Sequence, residues 1–104
     1  MRLITRKPLR EAAEKYPKAA DALEDFWKLI EKGVFATPED LRKVIPSLDN
    51  HKDIDRHYVI NICRNSYRVI VKIDFKHQVV YAKHVFTHKE YDVFNAKHKG
   101  GSKK

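Results

Sequence analysis

The chain has 104 residues, 42% of them hydrophobic and 35% charged, with a formal net charge of +8 at pH 7. That length suits a single domain, 1–104, with one core, and the hydrophobic content excludes a disordered chain. No apolar stretch approaches the roughly 20 residues that span a bilayer, and MRLITRKPLREAAEK lacks the apolar run of a secretory signal, so a cytoplasmic protein with no membrane partner is expected.

The charge is unevenly placed. Met1 to Asp55 holds eleven basic and eleven acidic residues, whereas Arg56 to Lys104 holds eleven basic residues against Asp74, Glu90 and Asp92. A clustered positive field concentrates phosphates before any specific contact forms, so the C-terminal half is expected to meet a polyanion.

Leu3 and Ile4 fit a short first strand over Met1 to Thr5. Pro8 then suits a first helical turn, and Leu9, Ala12, Ala13 and Tyr16 recur at helical spacing until Pro17 ends the segment. From Lys18 to Lys32 a broad apolar stripe of Ala19, Ala22, Leu23, Phe26, Trp27, Leu29 and Ile30 predicts a second helix that stops at Gly33. The aromatic residues of that stripe read as core rather than as a base-stacking platform. Thr37-Pro38-Glu39-Asp40 predicts a capped third helix with Leu41, Val44 and Ile45 inward, closed by Pro46. Ser47 to Asp55 reads as a polar loop.

Three strands are predicted next, at His57 to Cys63, Tyr67 to Phe75 and Val79 to Phe86. Arg64-Asn65-Ser66 and Lys76-His77-Gln78 are hairpin-sized connections, so the strands form an antiparallel meander. In the central strand Tyr67, Val69, Val71, Ile73 and Phe75 share the core face. Arg68, Ile70, Lys72 and Asp74 share the other, which is therefore available for chemistry. For the third strand, Val80, Ala82, His84 and Phe86 compete with Tyr81, Lys83, Val85 and Thr87 for the inward face. Cys63 is the only cysteine. It closes no internal disulfide and is expected to pack within a strand.

Thr87-His88-Lys89-Glu90 has the spacing of a capping box and opens a final short helix containing Tyr91, Asp92 and Phe94. Residues 97–104, KHKGGSKK, read as a flexible basic tail. The fold class is thus α+β, a small antiparallel β-sheet packed against N-terminal helices, with a short C-terminal helix.

An antiparallel meander places the start of its central strand beside the end of its third, which draws Arg64, Asn65, Arg68, His88, Lys89 and Tyr91 toward one end of the sheet. Such residues suit RNA cleavage by the RNA's own 2′-OH, which needs a proton acceptor, a stabiliser of growing negative charge and a proton donor for the departing 5′-oxygen. Histidine exchanges protons near neutral pH, and arginine grips two phosphate oxygens with its planar fork. Structural duties stay open for each residue: His88 as a polar residue at a helix start, Arg68 as a cross-strand ion-pair partner, Tyr91 as half-buried packing. No metal or other cofactor is expected. The six histidines are scattered and no His-Glu-x-x-His sequence occurs. Glycine is confined to Gly33, Gly100 and Gly101, which excludes the common nucleotide fingerprints.

HYVINICRNSYRVIVKIDF followed by VVYAKHVFTHKEYD, with FATPEDLRKVIPSLDNHKDIDRHYVINI upstream, resembles the HigB toxins of bacterial type II toxin-antitoxin systems, a branch of the RelE superfamily. The resemblance covers nearly the whole chain, and its most specific pieces are NSYR at Asn65 to Arg68 and THKEYD at Thr87 to Asp92. It implies a RelE-like fold and ribosome-dependent, metal-independent cleavage of translated mRNA. As partner it implies a HigA-type helix-turn-helix antitoxin, through which the complex binds operator DNA. It gives Arg68 a place at the reacting phosphate, and it makes His88 and Tyr91 the preferred acid-base pair. The paired lysines of RelE have no counterpart, because Val59 and Asn61 occupy those strand positions. Arg68, His88 and Tyr91 are accordingly expected to be catalytic, and Arg64, Asn65, Lys83 and Lys89 to bind RNA. The rival reading is a basic module that holds RNA or the ribosome without cutting.

Overall fold

In the computed structural model, which describes residues 1–51, 56–63 and 66–101, the chain begins with β1 (Arg2–Thr5), α1 (Lys7–Lys15), a 3₁₀ turn (Pro17–Ala19) and α2 (Ala20–Lys32). It continues through α3 (Pro38–Val44), β2 (Asp49–Asn50), β3 (His57–Ile62), β4 (Tyr67–Asp74), β5 (Val79–Thr87) and α4 (His88–Gly101). The expected meander β3-β4-β5 is present and antiparallel, and it forms the centre of a wider, mixed sheet ordered β1-β5-β4-β3-β2. β1 joins one side in parallel with β5, and the two-residue β2 joins the other side antiparallel to β3. Part of the segment read as a polar loop is thus an edge strand. The fold is α+β.

One face of the sheet carries the main core. Ile60, Val69, Val71, Ile73, Val80 and Ala82 are buried there against Leu9 and Ala12 of α1, Leu23, Phe26 and Ile30 of α2 and Leu41 of α3. The helices take these positions because their apolar residues recur at three- and four-residue intervals and so form one stripe each. Thr37 caps α3 as expected, its Oγ1 accepting the Asp40 N–H at 3.2 Å. Leu41 of α3 and Ile45 at its C-terminal cap are buried, but Val44 is 47% exposed, against the expectation that it faces inward. Leu41 and Ile45, four residues apart, define a stripe that a residue at i+3 from Leu41 flanks on the wrong side.

β5 resolves its two competing faces by changing phase. Thr87, Phe86, Val85 and His84 pair with Tyr67, Arg68, Val69 and Ile70, after which Ala82 pairs with Val71, leaving Lys83 as an extra residue. Such a bulge shifts the alternation by one position. Val80 and Ala82 therefore face the core before the bulge and Val85 after it, while His84 and Phe86 turn to the other face with Arg68. Each competing set is half right.

That other face is not open throughout. α4 lies across it, with the Phe94 ring 5.2 Å from His84 and 5.1 Å from Phe86. Beneath it Ile70 is 0% exposed and Val59 is also buried, so a second, smaller apolar layer lies behind the sheet. α4 has 14 residues, more than the short helix expected, and takes in residues 97–101 of the segment read as a tail. Residues 102–104 lie outside the described residues.

Among the described residues three non-glycine positions have left-handed backbone, Arg56 just before β3, Cys63 and Gln78. Gln78 has φ 57° at the end of the β4-β5 hairpin. Its amide donates to the carbonyls of Phe35 at 2.5 Å and Phe75 at 2.8 Å and accepts the Phe35 N–H at 3.1 Å, tying the hairpin to the segment between α2 and α3. Cys63, with φ 50°, stands in the turn after β3 rather than within a strand. Its thiol packs against the core and lies 3.5 Å from the Lys18 carbonyl.

Candidate active site

β4 places Arg68 on the face opposite the main core, between Asn61 of β3 and Phe86 of β5. The end of β5 and the first turn of α4 determine what Arg68 meets. Thr87 pairs with Tyr67, so the chain leaves β5 beside the start of β4 and turns directly into α4. One turn further along, the ring of half-buried Tyr91 lies over the guanidinium, 5.6 Å from Arg68 Cζ to the ring centroid. This is cation-π distance, and it holds the planar fork against an aromatic wall.

The turn from strand to helix is fixed by the predicted capping box. Glu90 Oε1 accepts the Thr87 N–H at 2.8 Å, and Thr87 Oγ1 accepts the Glu90 N–H at 3.2 Å. The same Glu90 oxygen accepts the Tyr16 hydroxyl at 3.1 Å, and Lys15 Nζ stands 3.9 Å from Oε2, so α4 is also tied to the end of α1. The Thr87 N–H foremost, with the Tyr16 and Thr87 hydrogen bonds and Lys15, holds the Glu90 carboxyl below the usual carboxylate range, against the opposing effect of partial burial. Glu90 therefore anchors the start of the helix.

His88, the first residue of α4, is 62% exposed, and its Nδ1 faces the Asp92 carboxylate one turn on, at 3.5 Å. The ring nitrogen that does not face Asp92 is Nε2. Lys89 is exposed beside it in the first turn. The structure brings Arg68 and Tyr91 together and puts His88 and Lys89 on the adjoining turn. Lys83 is set apart at the bulge. It is exposed, with Nζ 5.9 Å from the Tyr81 ring, and it lines a groove of about 230 Å³ shared with Lys15, Tyr16, His84 and Phe86. Arg64 and Asn65 lie outside the described residues.

Sequence reasoning missed His51. It comes from the stretch read as a polar loop, yet it is 7% exposed and is the one buried polar side chain among the described residues. Its Nε2 donates to Asn95 Oδ1 at 2.7 Å, and its ring stands edge-on to Tyr91 at 6.4 Å and to Phe94 at 5.8 Å. A lone histidine among polar residues carries no periodic signal, so only the tertiary structure shows it beneath α4.

Arg68 brings a guanidinium, His88 an imidazole at the surface, and Tyr91 a hydroxyl and an aromatic wall. Among the described residues no group of three or more His, Cys, Asp or Glu is arranged to hold a metal ion. A cleft of about 460 Å³ between α1 and α2, with Leu9, Leu23 and Trp27 in its lining, includes none of the candidate residues. Among the described residues no helix is long and apolar enough to cross a membrane.

Residues 19–94 match the family model HigB_toxin, described as a RelE-like toxic component of a toxin-antitoxin system. The chain is 48% identical, over 100% of both lengths, to a protein of Escherichia coli K12 described as mRNA interferase toxin HigB. It shows the same identity and coverage with mRNA interferase HigB of Shigella flexneri. An mRNA interferase HigB of Escherichia coli O6:H1 is 39% identical over 92 residues, 88% of this chain and 89% of that relative.

Proposed function

This chain belongs to the HigB toxin family, and from that premise we propose that it is an mRNA interferase, an endoribonuclease that cuts mRNA on the ribosome and so stops translation. The observation that carries the reading is the meeting of Arg68 with Tyr91 beside His88, at the junction of β5 and α4. It is supported by end-to-end similarity to proteins that bear the mRNA interferase name.

The proposed reaction is transesterification within the RNA. The 2′-oxygen attacks the adjacent phosphorus and gives up its proton, the bond from phosphorus to the 5′-oxygen breaks, and that oxygen takes a proton. The products are a 2′,3′-cyclic phosphate and a free 5′-OH. Arg68 binds the non-bridging oxygens as charge grows on them, a role for a rigid, always-charged fork already held against Tyr91. His88, oriented by Asp92, exchanges the proton through Nε2. Tyr91 orients the phosphate-bound arginine or serves as the second proton-transfer group. Arg64, Asn65, Lys83 and Lys89 position the RNA. None of these steps requires a metal ion.

As a toxin of a two-component system the protein has an antitoxin partner. We take that partner to be a HigA-type helix-turn-helix protein that also carries the complex to operator DNA, with both acting in the cytoplasm. The test is to incubate the purified toxin with translating ribosomes in the presence of EDTA at free magnesium sufficient to keep the ribosomes intact, and separately with isolated RNA under full chelation, and to analyse the RNA ends. Cyclic phosphate and 5′-OH ends at discrete sites on ribosome-bound mRNA support the reading. RNA that stays intact while bound supports the non-cutting alternative instead.

A further inference from the structure

His51 has no part in that scheme, yet three of its contacts end on one stripe of α4. Tyr91, Phe94 and Asn95 stand at positions i, i+3 and i+4 of the helix and so share one face. The imidazole meets all three: edge-on to the two rings, at 85° and 80°, and by hydrogen bond to the Asn95 amide oxygen at 2.7 Å. The backbone of His51 is held independently, its N–H donating to the His57 carbonyl at 2.8 Å beside the start of β3. A residue anchored to the sheet thus fixes the rotation and height of the helix that carries Tyr91, and Tyr91 in turn stands over Arg68.

We infer that His51 is a positioning residue for the RNA-cleaving site, locking α4 through Asn95 and Tyr91 so that the Tyr91 ring keeps the Arg68 guanidinium in its reactive orientation. This rests on the assignment of Arg68 and Tyr91 proposed above. Burial explains why a polar ring is used. A hydrocarbon side chain fills the same volume but leaves the Asn95 amide without its partner and lets the helix rotate, whereas a hydrogen-bonded ring has a single orientation. A displacement of order 1 Å at a reacting group costs on the order of 100-fold in rate, so modest rotation of α4 is costly to chemistry while leaving Lys83 on β5 in place.

The test compares kcat and KM for ribosome-bound mRNA among the wild type, His51→Leu, His51→Gln and Asn95→Leu. Gln places an amide nitrogen near the position of the imidazole Nε2 and keeps the donor. His51→Leu and Asn95→Leu are each expected to lower kcat by about 10- to 100-fold with KM changed less than about threefold, and His51→Gln to recover most of the loss. In single-turnover reactions on a Tyr91→Ala background, His51→Leu adds less than about twofold, because the residue through which it acts is gone. If His51→Leu does not fold, the comparison is made between Asn95→Leu and the donor-keeping His51→Gln: the Asn95→Leu loss must then appear in kcat and vanish on the Tyr91→Ala background, with His51→Gln near wild type. Unchanged kcat in the folded variants, or the full loss persisting without Tyr91, overturns the inference. Wild-type rates in both Arg68→Ala and Tyr91→Ala overturn the underlying site instead, so the two failures are distinguishable.

Discussion

Replacing Glu90 by alanine tests how α4 is held in place. The substitution removes a carboxylate that accepts the Thr87 N–H at 2.8 Å and the Tyr16 hydroxyl at 3.1 Å, with Lys15 nearby at 3.9 Å. Hydrogen bonds to a charged group are each worth about 1.5–3 kcal/mol when sheltered, and loss of a helix cap costs about 1 kcal/mol. The Glu90 side chain is 42% exposed, so water replaces part of what is lost and the Lys15 pair adds little. The expected cost is about 1–2 kcal/mol at pH 7, a fall of roughly 4–10 °C in Tm for a chain of this size. Thr87→Ala should cost about 1 kcal/mol, and the double variant less than the sum, because both act on one capping box.

The pH dependence has a definite sign. The folded-state pKa of Glu90 lies below its unfolded value, so the stabilisation is complete above the unfolded-state pKa of about 4.3 and is lost as pH falls through the folded-state value. Urea denaturation followed by circular dichroism at pH 7 and again in acid measures both effects. Wild type and Glu90→Ala should differ at pH 7 and converge in acid. Equal stability at pH 7, or a gap that widens in acid, would refute this account of the helix start.

Three further substitutions probe other joints. Ile70→Ala opens a void beneath α4 at a fully buried site and should cost about 2–5 kcal/mol by chemical denaturation, far more than the exposed Val44→Ala. Gln78→Ala removes the amide that holds Phe35 and Phe75 and should destabilise by about 1–3 kcal/mol, with little effect on kcat because the hairpin stands away from Arg68. Lys83→Ala should weaken RNA binding and reduce the slope of log affinity against log salt by about 0.7, the signature of one lost phosphate contact to single-stranded RNA, with the cleavage rate at saturation unchanged.

Features set by short-range chemistry were legible in the sequence. The alternation in YRVIVKIDF places β4 and its core face, Thr37 and Asp40 predict the start of α3, and the Thr87-Glu90 spacing predicts the start of α4, each with the hydrogen bond its chemistry requires. What escaped depends on contacts between distant segments. The phase change at Lys83 is invisible in a strand that reads equally well in either register, because one extra residue makes both patterns true over half the length. β2, an Asp-Asn pair of low strand propensity, is a strand only because β3 lies beside it, and β1 is too short to reveal that it runs parallel to β5.

The candidate site was legible to the same degree. Pairing rules brought Arg68 near the end of β5, and the capping box placed His88 and Tyr91 on the following turn. The face carrying Arg68 was read as open, whereas α4 crosses it and supplies the Tyr91 wall and the Phe94 cluster. His51 joined the site only through tertiary burial.

The proposed function stands most directly on Arg68 as the group that stabilises the reacting phosphate. The decisive measurement is the single-turnover rate at which wild type and Arg68→Ala cut mRNA held on the ribosome, with folding checked by circular dichroism and ribosome binding by co-sedimentation. A folded, ribosome-bound Arg68→Ala protein that cuts about 100- to 1,000-fold more slowly is the predicted result. The same folded, bound protein cutting within about threefold of wild type would contradict it.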